Sequence, residues 1–290
     1  MILITGATGH FGKATIDFLL KKNIPPNNIV GMVRHIEKAG DLKTKGISLR
    51  VGDYDDYSGL LSAFKGIDRL LLISGSDIIN RSKQQENAVK AAKEAGVKHI
   101  IYTSFVRKNE TETSPLAMLG KAHIETEKNI KASGLTYTIL LDNLYADILP
   151  MFMGEKVLET GIFLPAGDGK ASFATRLDMA EAAANILTSE GHENKEYILS
   201  NDTNYSFNDV ATLLSEISGK QVPYISPSTE VFTETLSKAG VPMEAIAMTV
   251  GFCEAINQGE FFTTKSDLGY LLGRKPTSIK EYLKSVYLNK

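Results

Sequence analysis

Short apolar runs alternate with amphipathic stretches over the first half of the chain, and each run stops at a small or polar residue. The runs predict six strands, at residues 1–4, 29–33, 48–51, 70–73, 99–103 and 135–141. Between the strands, apolar residues recur at helical spacing, as in the alanine stripe over residues 88–95. This alternation predicts an α/β fold with a doubly wound parallel sheet and right-handed connections.

The first predicted strand breaks into a glycine-rich turn, and a helix is expected to begin near Phe11. Gly6 lets the chain turn sharply, Gly9 lets backbone approach a diphosphate, and Gly12 lets the helix pack closely on the sheet. The spacing is Gly-x-x-Gly-x-x-Gly, one residue longer in its first step than Gly-x-Gly-x-x-Gly. Between a strand and a helix it predicts a dinucleotide-binding loop of the Rossmann type, built from Gly6, Thr8, Gly9, His10, Phe11 and Gly12.

The carboxyl ends of parallel strands share one edge of a sheet, where ligands bind. Arg34 follows the second strand, with no acidic residue at or just before it, which favours the 2′-phosphate of NADP over NAD. Lys38, about one helical turn further on, adds a second positive charge. An ordinary exposed cation is the alternative interpretation of Arg34.

Polar and small residues follow the next three strands at the same edge. Asp53 is placed to accept the exocyclic amine of an adenine, and Tyr54 to lie against its ring, although turn chemistry explains Asp53 almost as well. The ribose and nicotinamide of the cofactor are expected to pass the small residues that end the fourth and fifth strands, which are Ser74, Gly75, Thr103 and Ser104. A plain turn explains Ser74 and Gly75 equally well.

Beyond residue 143 the alternation loosens and helical patterns dominate. We expect one helix over residues 145–158, a buried helix over 177–187, a strand over 197–199 and a long helix over 243–257. The predicted division is a Rossmann domain at 1–146 and a smaller, mostly helical substrate-binding cap at 147–290. A segment of about 175–200 is expected to return to the Rossmann core.

Composition removes several classes of function. The 290 residues carry 32 basic against 34 acidic side chains, a net charge of −2, so no nucleic-acid surface is expected. A single cysteine and five scattered histidines leave no disulfide and no expected metal site. No apolar run approaches the ~20 residues of a membrane span. With no leader ahead of the first strand, we expect a cytoplasmic protein.

With these residues in hand, the chain resembles the NmrA-like group of atypical short-chain dehydrogenases. The resemblance covers nearly the whole chain and implies NADP(H) as cofactor. The stretches that carry it are residues 5–12, 33–34, 52–54, 91–104, 114–116, 123–127, 190–194 and 273–277.

Reductases of the wider superfamily use a Tyr-x-x-x-Lys pair for acid–base work on the substrate oxygen. Here the lysine position falls on His123 and the tyrosine position on Leu119. The quinone and dye reductases of the group also have histidine at this position, which implies direct hydride delivery to an electron-poor acceptor. The resemblance therefore implies an NADPH-dependent oxidoreductase that reduces a small quinone-like or conjugated dye-like acceptor, as a monomer or homodimer.

His123 and Asn143 are the catalytic candidates on this basis. His123 is expected to hold the ribose hydroxyls or donate a proton, and a purely structural role is an equal alternative. Asn143 is expected near the nicotinamide and substrate. Aromatic candidates for the acceptor pocket, for which core packing is the alternative, are Phe105, Tyr145 and Phe152.

Two rival functions follow from the same residues. A non-catalytic NADP(H)-sensing regulator of the NmrA-like type fits the missing acid–base pair equally well. A sugar-nucleotide epimerase needs the acid–base tyrosine, so Leu119 counts against it.

Overall fold

The structure is a computed structural model that describes residues 1–288. Its main sheet comprises β1 Ile2–Ile4, β2 Ile29–Val33, β3 Ser48–Val51, β4 Arg69–Leu72, β5 His99–Phe105, β6 Thr136–Asp142 and β8 Lys195–Leu199. All pairings in it are parallel, and the strand order is β3-β2-β1-β4-β5-β6-β8. A separate parallel pair joins β7 Ile162–Phe163 to β9 Tyr224–Ile225. The predicted α/β class and doubly wound sheet are confirmed.

Helices fill the connections and make up most of the C-terminal region. They are α1 His10–Lys21, α2 Gly40–Thr44, α3 Tyr57–Phe64, α4 Arg81–Glu94, α5 Ala117–Ser133, α6 Leu149–Met153, α7 Val157–Thr160, α8 Arg176–Thr188, α9 Phe207–Ser218, α10 Thr229–Lys238, α11 Met243–Asn257, α12 Leu268–Leu272 and α13 Ile279–Tyr287. Three short 3₁₀ turns lie at Pro26–Asn28, Ile36–Lys38 and Ala146–Ile148.

Side chains of the central strands alternate between two cores, because successive residues of a strand point to opposite faces. On one face, Leu71 and Ile101 belong to a core shared with α1 and α8. On the other face, Leu70 and Ile100 belong to a core shared with α3 and α4. Both cores are almost free of solvent exposure, so the strand ends are held on a rigid base.

A third core serves the C-terminal helices and the small sheet. It includes Phe173, Phe207 and Phe232, with α11 contributing Ile246 and Ile256. By contrast, α8 packs against α1, and β8 pairs with β6, so this part of the chain lies on the main sheet. The division of the chain at residue 146 stays a prediction.

One helix expected from the sequence is wrong in its extent. Instead of a single helix over 145–158, the chain forms a 3₁₀ turn and the two short helices α6 and α7. Pro150 stands in the first turn of α6, where its missing N–H does no harm but where it cannot continue an earlier helix. Gly154 then has φ +79°, a positive value that favours glycine, and α6 ends there.

In the part of the chain that the structure describes, no helix is both long and apolar enough to cross a membrane. Over the same residues, the acidic, histidine and cysteine side chains form no cluster of three or more that could hold a metal ion.

Candidate functional site

The glycine loop joins β1 to α1 with little room to spare. Gly6 has φ +56°, which favours glycine, and its carbonyl accepts from the Gly9 N–H at 2.9 Å. A Cβ on Gly12 would lie 2.4 Å from the Gly6 oxygen, so only glycine lets α1 approach the loop this closely. The first bond of α1 runs from Lys13 N to the Gly9 carbonyl, at 2.9 Å, which leaves the N–H groups of the first three residues of α1 for a ligand.

The other loop residues divide into exposed and buried side chains. Thr8 and His10 are exposed beside the start of α1. Phe11 is buried instead, and its ring centroid lies 6.5 Å from that of Tyr145. Phe11 therefore connects the glycine loop with the segment that follows β6.

Arg34 and Lys38 are both exposed just beyond β2. Glu37, which could have paired with Arg34, instead has its carboxylate 3.4 Å from His35 Nδ1. Within residues 1–288, neither a hydrogen bond nor an ion pair ties the Arg34 guanidinium to another side chain. Its charge is available at the edge of the sheet where the glycine loop lies.

Tyr54 is tied to the sheet by its hydroxyl, which lies 2.6 Å from both Thr5 Oγ1 and the Ile73 carbonyl. Burial raises the pKa of this phenol. A Cβ on Gly75 would lie 3.6 Å from the Tyr54 ring, so Tyr54 supports the turn after β4. Asp53 is half-buried, and its carboxylate accepts from the Asp55 N–H at 3.1 Å, as expected of turn chemistry.

The ends of β4 and β5 are joined by hydroxyl contacts. The Ser74 N–H donates to Thr103 Oγ1 at 2.9 Å. The Ser104 hydroxyl donates to the Glu127 carboxylate. The same carboxylate accepts hydrogen bonds from both terminal nitrogens of Arg107, at 2.9 and 2.7 Å. Ser104 is therefore fixed against α5, whereas Ser74 lies beside the cavity described next.

A cavity of about 200 Å³ lies against the carboxyl ends of β4, β5 and β6. Of the residues predicted for the site, those that line it are Ser74, Ser104, Phe105, His123, Asn143, Tyr145 and Phe152. The remaining lining residues are Arg81, Leu119, Asp142, Leu144, Ile148, Met151, Phe252 and Phe261. A mostly apolar cavity with a few polar groups is typical of a site for a small organic molecule.

Several ring side chains pack against one another in the cavity wall. Phe105 meets the His123 ring edge-on, with centroids 5.0 Å apart, and lies 6.4 Å from Phe261. Phe252, from the middle of α11, lies 6.2 Å from Phe261 and 6.0 Å from Phe152. The wall thus combines rings from the sheet end with rings from the C-terminal helices.

His123 is buried, and both of its ring nitrogens face protein groups. Arg81 Nη1 lies 3.2 Å from Nε2, and since a guanidinium only donates, Nε2 accepts. Nδ1 then carries the proton and donates to the Tyr102 hydroxyl at 2.7 Å, which in turn donates to Gln85. Burial, followed by the Arg81 and Arg107 charges, holds the pKa of His123 well below its ordinary value, so the ring is neutral.

Asn143 anchors a neighbouring segment to the end of β6. Its side-chain amide donates to the Phe261 carbonyl at 3.1 Å, and its side-chain oxygen accepts from the Leu144 N–H at 2.8 Å. These bonds position the aromatic wall. The catalytic roles expected for Asn143 and His123 stay predictions.

Asp142 places a carboxyl group in the cavity wall with almost no solvent contact. Tyr145 donates to one oxygen at 2.8 Å, and the other oxygen has no hydrogen-bond partner within residues 1–288. Burial raises the pKa of Asp142 to about 7, although the Tyr145 bond and the Arg176 charge oppose the rise. The group is therefore largely protonated in mildly acidic solution.

Seven of the lining residues were not singled out from the sequence, and four of them have charged or aromatic side chains. Arg81 lies on the strongly polar α4 and reads as a solvated cation, and Phe252 and Phe261 lie far along the chain from the strand ends. Asp142 had a usable signal, because a carboxylate directly follows an apolar strand run. These residues meet at the cavity because distant segments of the chain pack together, and local sequence patterns do not predict such packing.

The strand order, the glycine loop at the first strand and the cavity at the strand ends define a Rossmann-type nucleotide-binding protein. Within that class the chain belongs to the NmrA-like family, whose model matches residues 1–283.

Characterised relatives match the chain over almost its full length. Quinone oxidoreductase 2 of Escherichia coli (strain K12) is 39% identical over 288 residues, covering 99% of each chain. A solved structure of the Citrobacter sp. triphenylmethane reductase complexed with NADP(H) has a TM-score of 0.91 at 39% identity, covering 99% of this chain and 100% of that one. The NADPH complex of the Escherichia coli quinone oxidoreductase has a TM-score of 0.89 at 37% identity, with the same coverage.

Proposed function

We propose that this protein is an NADPH-dependent reductase that transfers hydride to a quinone-like or conjugated dye-like small molecule. The observation that carries the proposal is the aromatic cavity at the strand ends, in a chain that matches NADP(H)-binding reductases from end to end. A bound reduced nicotinamide would supply the hydride.

The residues present fit a dinucleotide. The close packing of Gly12 on Gly6 lets a ligand approach the backbone of the glycine loop. The free N–H groups at the start of α1 would donate to the diphosphate. Arg34 and Lys38 would bind the 2′-phosphate, because their exposed charges follow β2 and Glu37 is turned to His35. Asp53 would meet the adenine.

The nicotinamide half would pass the ends of β4 and β5 toward the cavity. Ser74 lines the cavity, and the Ser74–Thr103 contact fixes its backbone. His123, neutral and held from both sides, would present its ring toward the ribose without donating a proton to the substrate. Phe105, Tyr145 and Phe152 would exclude water from the acceptor.

Leu119, which the residue spacing aligns with the superfamily's acid–base tyrosine, lines the cavity. An apolar side chain there cannot protonate a substrate oxygen, so the reaction suits acceptors that are already electron-poor, with the final proton taken from water. The expected monomer or homodimer stays a prediction.

The direct test mixes purified protein with NADPH and a panel of quinones and conjugated dyes, and follows the absorbance of the dihydronicotinamide. We expect acceptor-dependent oxidation of NADPH, faster than oxidation of NADH at equal concentration. Tight NADPH binding without turnover of any acceptor would instead favour an NADP(H)-sensing regulator. If neither nucleotide binds, both functions are wrong.

A further inference from the structure

Arg81 is a buried cation that forms no direct ion pair within residues 1–288, and the Asp77 carboxylate acts on it only from a longer distance. It is the first residue of α4, it is 6% exposed, and it lines the cavity. Its hydrogen bond to the neutral His123 ring uses one terminal nitrogen, and Nε has no partner among residues 1–288. The ion pairs of the same residues include none that involves Arg81.

Arg107 is a second arginine with a largely buried side chain, and unlike Arg81 it is paired with carboxylates. Its side chain is 7% exposed, and its two terminal nitrogens donate to the Glu127 carboxylate at 2.9 and 2.7 Å. Glu110 adds a contact at 3.0 Å. Burying a charge without such a partner destabilises the folded chain. The partner that Arg81 lacks is therefore expected from a ligand in the cavity.

The guanidinium also dominates the charge of the cavity. The other titratable lining residues are His123, Asp142 and Tyr145. Burial keeps His123 and Tyr145 uncharged by moving the pKa of each away from neutrality. Asp142, with its pKa raised to about 7, is mainly neutral below that pH. Arg176, which lies 4.6 Å from the Tyr145 ring, is paired with Asp147.

We propose that Arg81 binds the oxygen of the acceptor and thereby selects neutral or anionic quinones over cationic triarylmethane dyes. The proposal rests on the proposed reductase function and narrows its substrate class. A guanidinium offers several fixed donors to a carbonyl oxygen. It repels a cation brought into the same poorly solvated space.

The reduction places negative charge where Arg81 can neutralise it. A quinone gains two electrons and one hydrogen as hydride from NADPH, which becomes NADP⁺, and the quinone becomes a hydroquinone monoanion. One proton from water completes the hydroquinone. A positive donor beside the charged oxygen stabilises the transition state more than the ground state. A cationic dye loses charge on reduction and gains nothing from Arg81.

The kinetic test compares Arg81→Met and Arg81→Lys with the wild type, using benzoquinone and a triphenylmethane cation as acceptors. For Arg81→Met we expect kcat/KM for benzoquinone to fall roughly 10- to 100-fold, as for loss of one hydrogen bond that involves a charged group. For the dye it should stay unchanged or rise. Arg81→Lys should recover part of the quinone rate, since the charge remains.

A ligand-free measurement separates this role from a structural one. The melting temperature of Arg81→Met without nucleotide should equal or exceed that of the wild type, because a costly buried charge is removed. The matched control Arg107→Met should melt lower, because Glu127 then loses its partner. A lower melting temperature for Arg81→Met, with equal losses for quinone and dye, would overturn the proposal.

If no acceptor is turned over, the role of Arg81 in ligand binding is tested by calorimetry, with naphthoquinone sulfonate titrated in the presence of NADP⁺. Failure of the wild type to reduce any acceptor refutes the proposed function. The role of Arg81 is then supported if Arg81→Met binds the sulfonate at least about tenfold more weakly, a change of about 1.4 kcal/mol. It is refuted if both proteins bind it equally.

Discussion

Replacing Asp142 with asparagine removes a titratable group from the cavity wall while keeping its shape. In the folded chain, burial raises the pKa of this carboxyl from the ordinary 3.8 to about 7. Tyr145 donates to it at 2.8 Å, a bond that the side-chain oxygen of asparagine can also accept. The substitution therefore tests the protonation of Asp142 with little loss of packing.

The sign of the effect follows from the raised pKa. Below about pH 4 the carboxyl is protonated in both folded and unfolded chains, and its burial carries no charge penalty. Between about pH 4 and 7 the unfolded chain releases the proton and the folded chain keeps it, so the free energy of unfolding falls. Above pH 7 the full penalty, on the order of 4 kcal/mol for a pKa raised from 3.8 to about 7, is present.

The measurement is urea unfolding, followed by far-ultraviolet circular dichroism at several pH values from 4.5 to 8.5, which is about the window of the titration. It gives the difference in the free energy of unfolding between the variant and the wild type. Asp142→Asn should gain stability over the wild type as pH rises, and the gain should level off above pH 7. Asp56→Asn is a control whose difference from the wild type should stay nearly constant over this range, because hydrogen bonds from Gly59 and Ser58 lower the pKa of Asp56 from 3.8 and the group is ionised in both folded and unfolded chains. A difference for Asp142→Asn that does not change with pH would refute a protonated Asp142.

Two further substitutions test the nucleotide site. Arg34→Glu should weaken NADPH by about 1–3 kcal/mol while leaving NADH nearly unchanged, since charge-assisted contacts to the 2′-phosphate are lost. Equal losses in a calorimetric titration would remove the case for NADP. Gly12→Ala should cost roughly 1–3 kcal/mol of stability and weaken both nucleotides, because its Cβ would lie 2.4 Å from the Gly6 oxygen. The control Gly40→Ala, with no atom within 4 Å of the new Cβ, should unfold no more easily than the wild type.

The order of elements in the first half could be predicted from the sequence because local and global signals agree there. Apolar runs such as β2 and β4 are buried strands, whereas β3 at the edge of the sheet is partly exposed. Gly6 has a positive φ and Gly12 has no room for a Cβ, so both positions require glycine. Parallel strands then carry their ends to one edge without further information. The family follows from motifs along the whole chain, and the match to residues 1–283 confirms it.

The cavity could be predicted only in part, because its wall joins segments far apart in the chain. The Asn143 side-chain amide donates to the Phe261 carbonyl and so holds Phe261 at the cavity, whereas Phe252 lines the cavity from α11. The broken helix after Tyr145 depends on Pro150 and Gly154, whose effects outweighed the apolar pattern. Arg81 is the clearest case, since its polar helix predicts exposure and contact with α5 buries it.

The charges of Arg81 and Asp142 belong to one cavity, so the acceptor preference should depend on pH. Below pH 7 the Asp142 carboxyl is mainly neutral, so the positive charge of Arg81 is not compensated within the cavity. Above pH 7 the negative charge of the Asp142 carboxylate partly cancels the charge of Arg81. The ratio of kcat/KM for benzoquinone to that for a triphenylmethane cation should therefore fall as pH rises through about 7. In Asp142→Asn the ratio should stay constant, because the other lining groups keep their charge over this range. A parallel fall in both proteins would place the responsible group outside the cavity and contradict the electrostatic coupling of these two side chains.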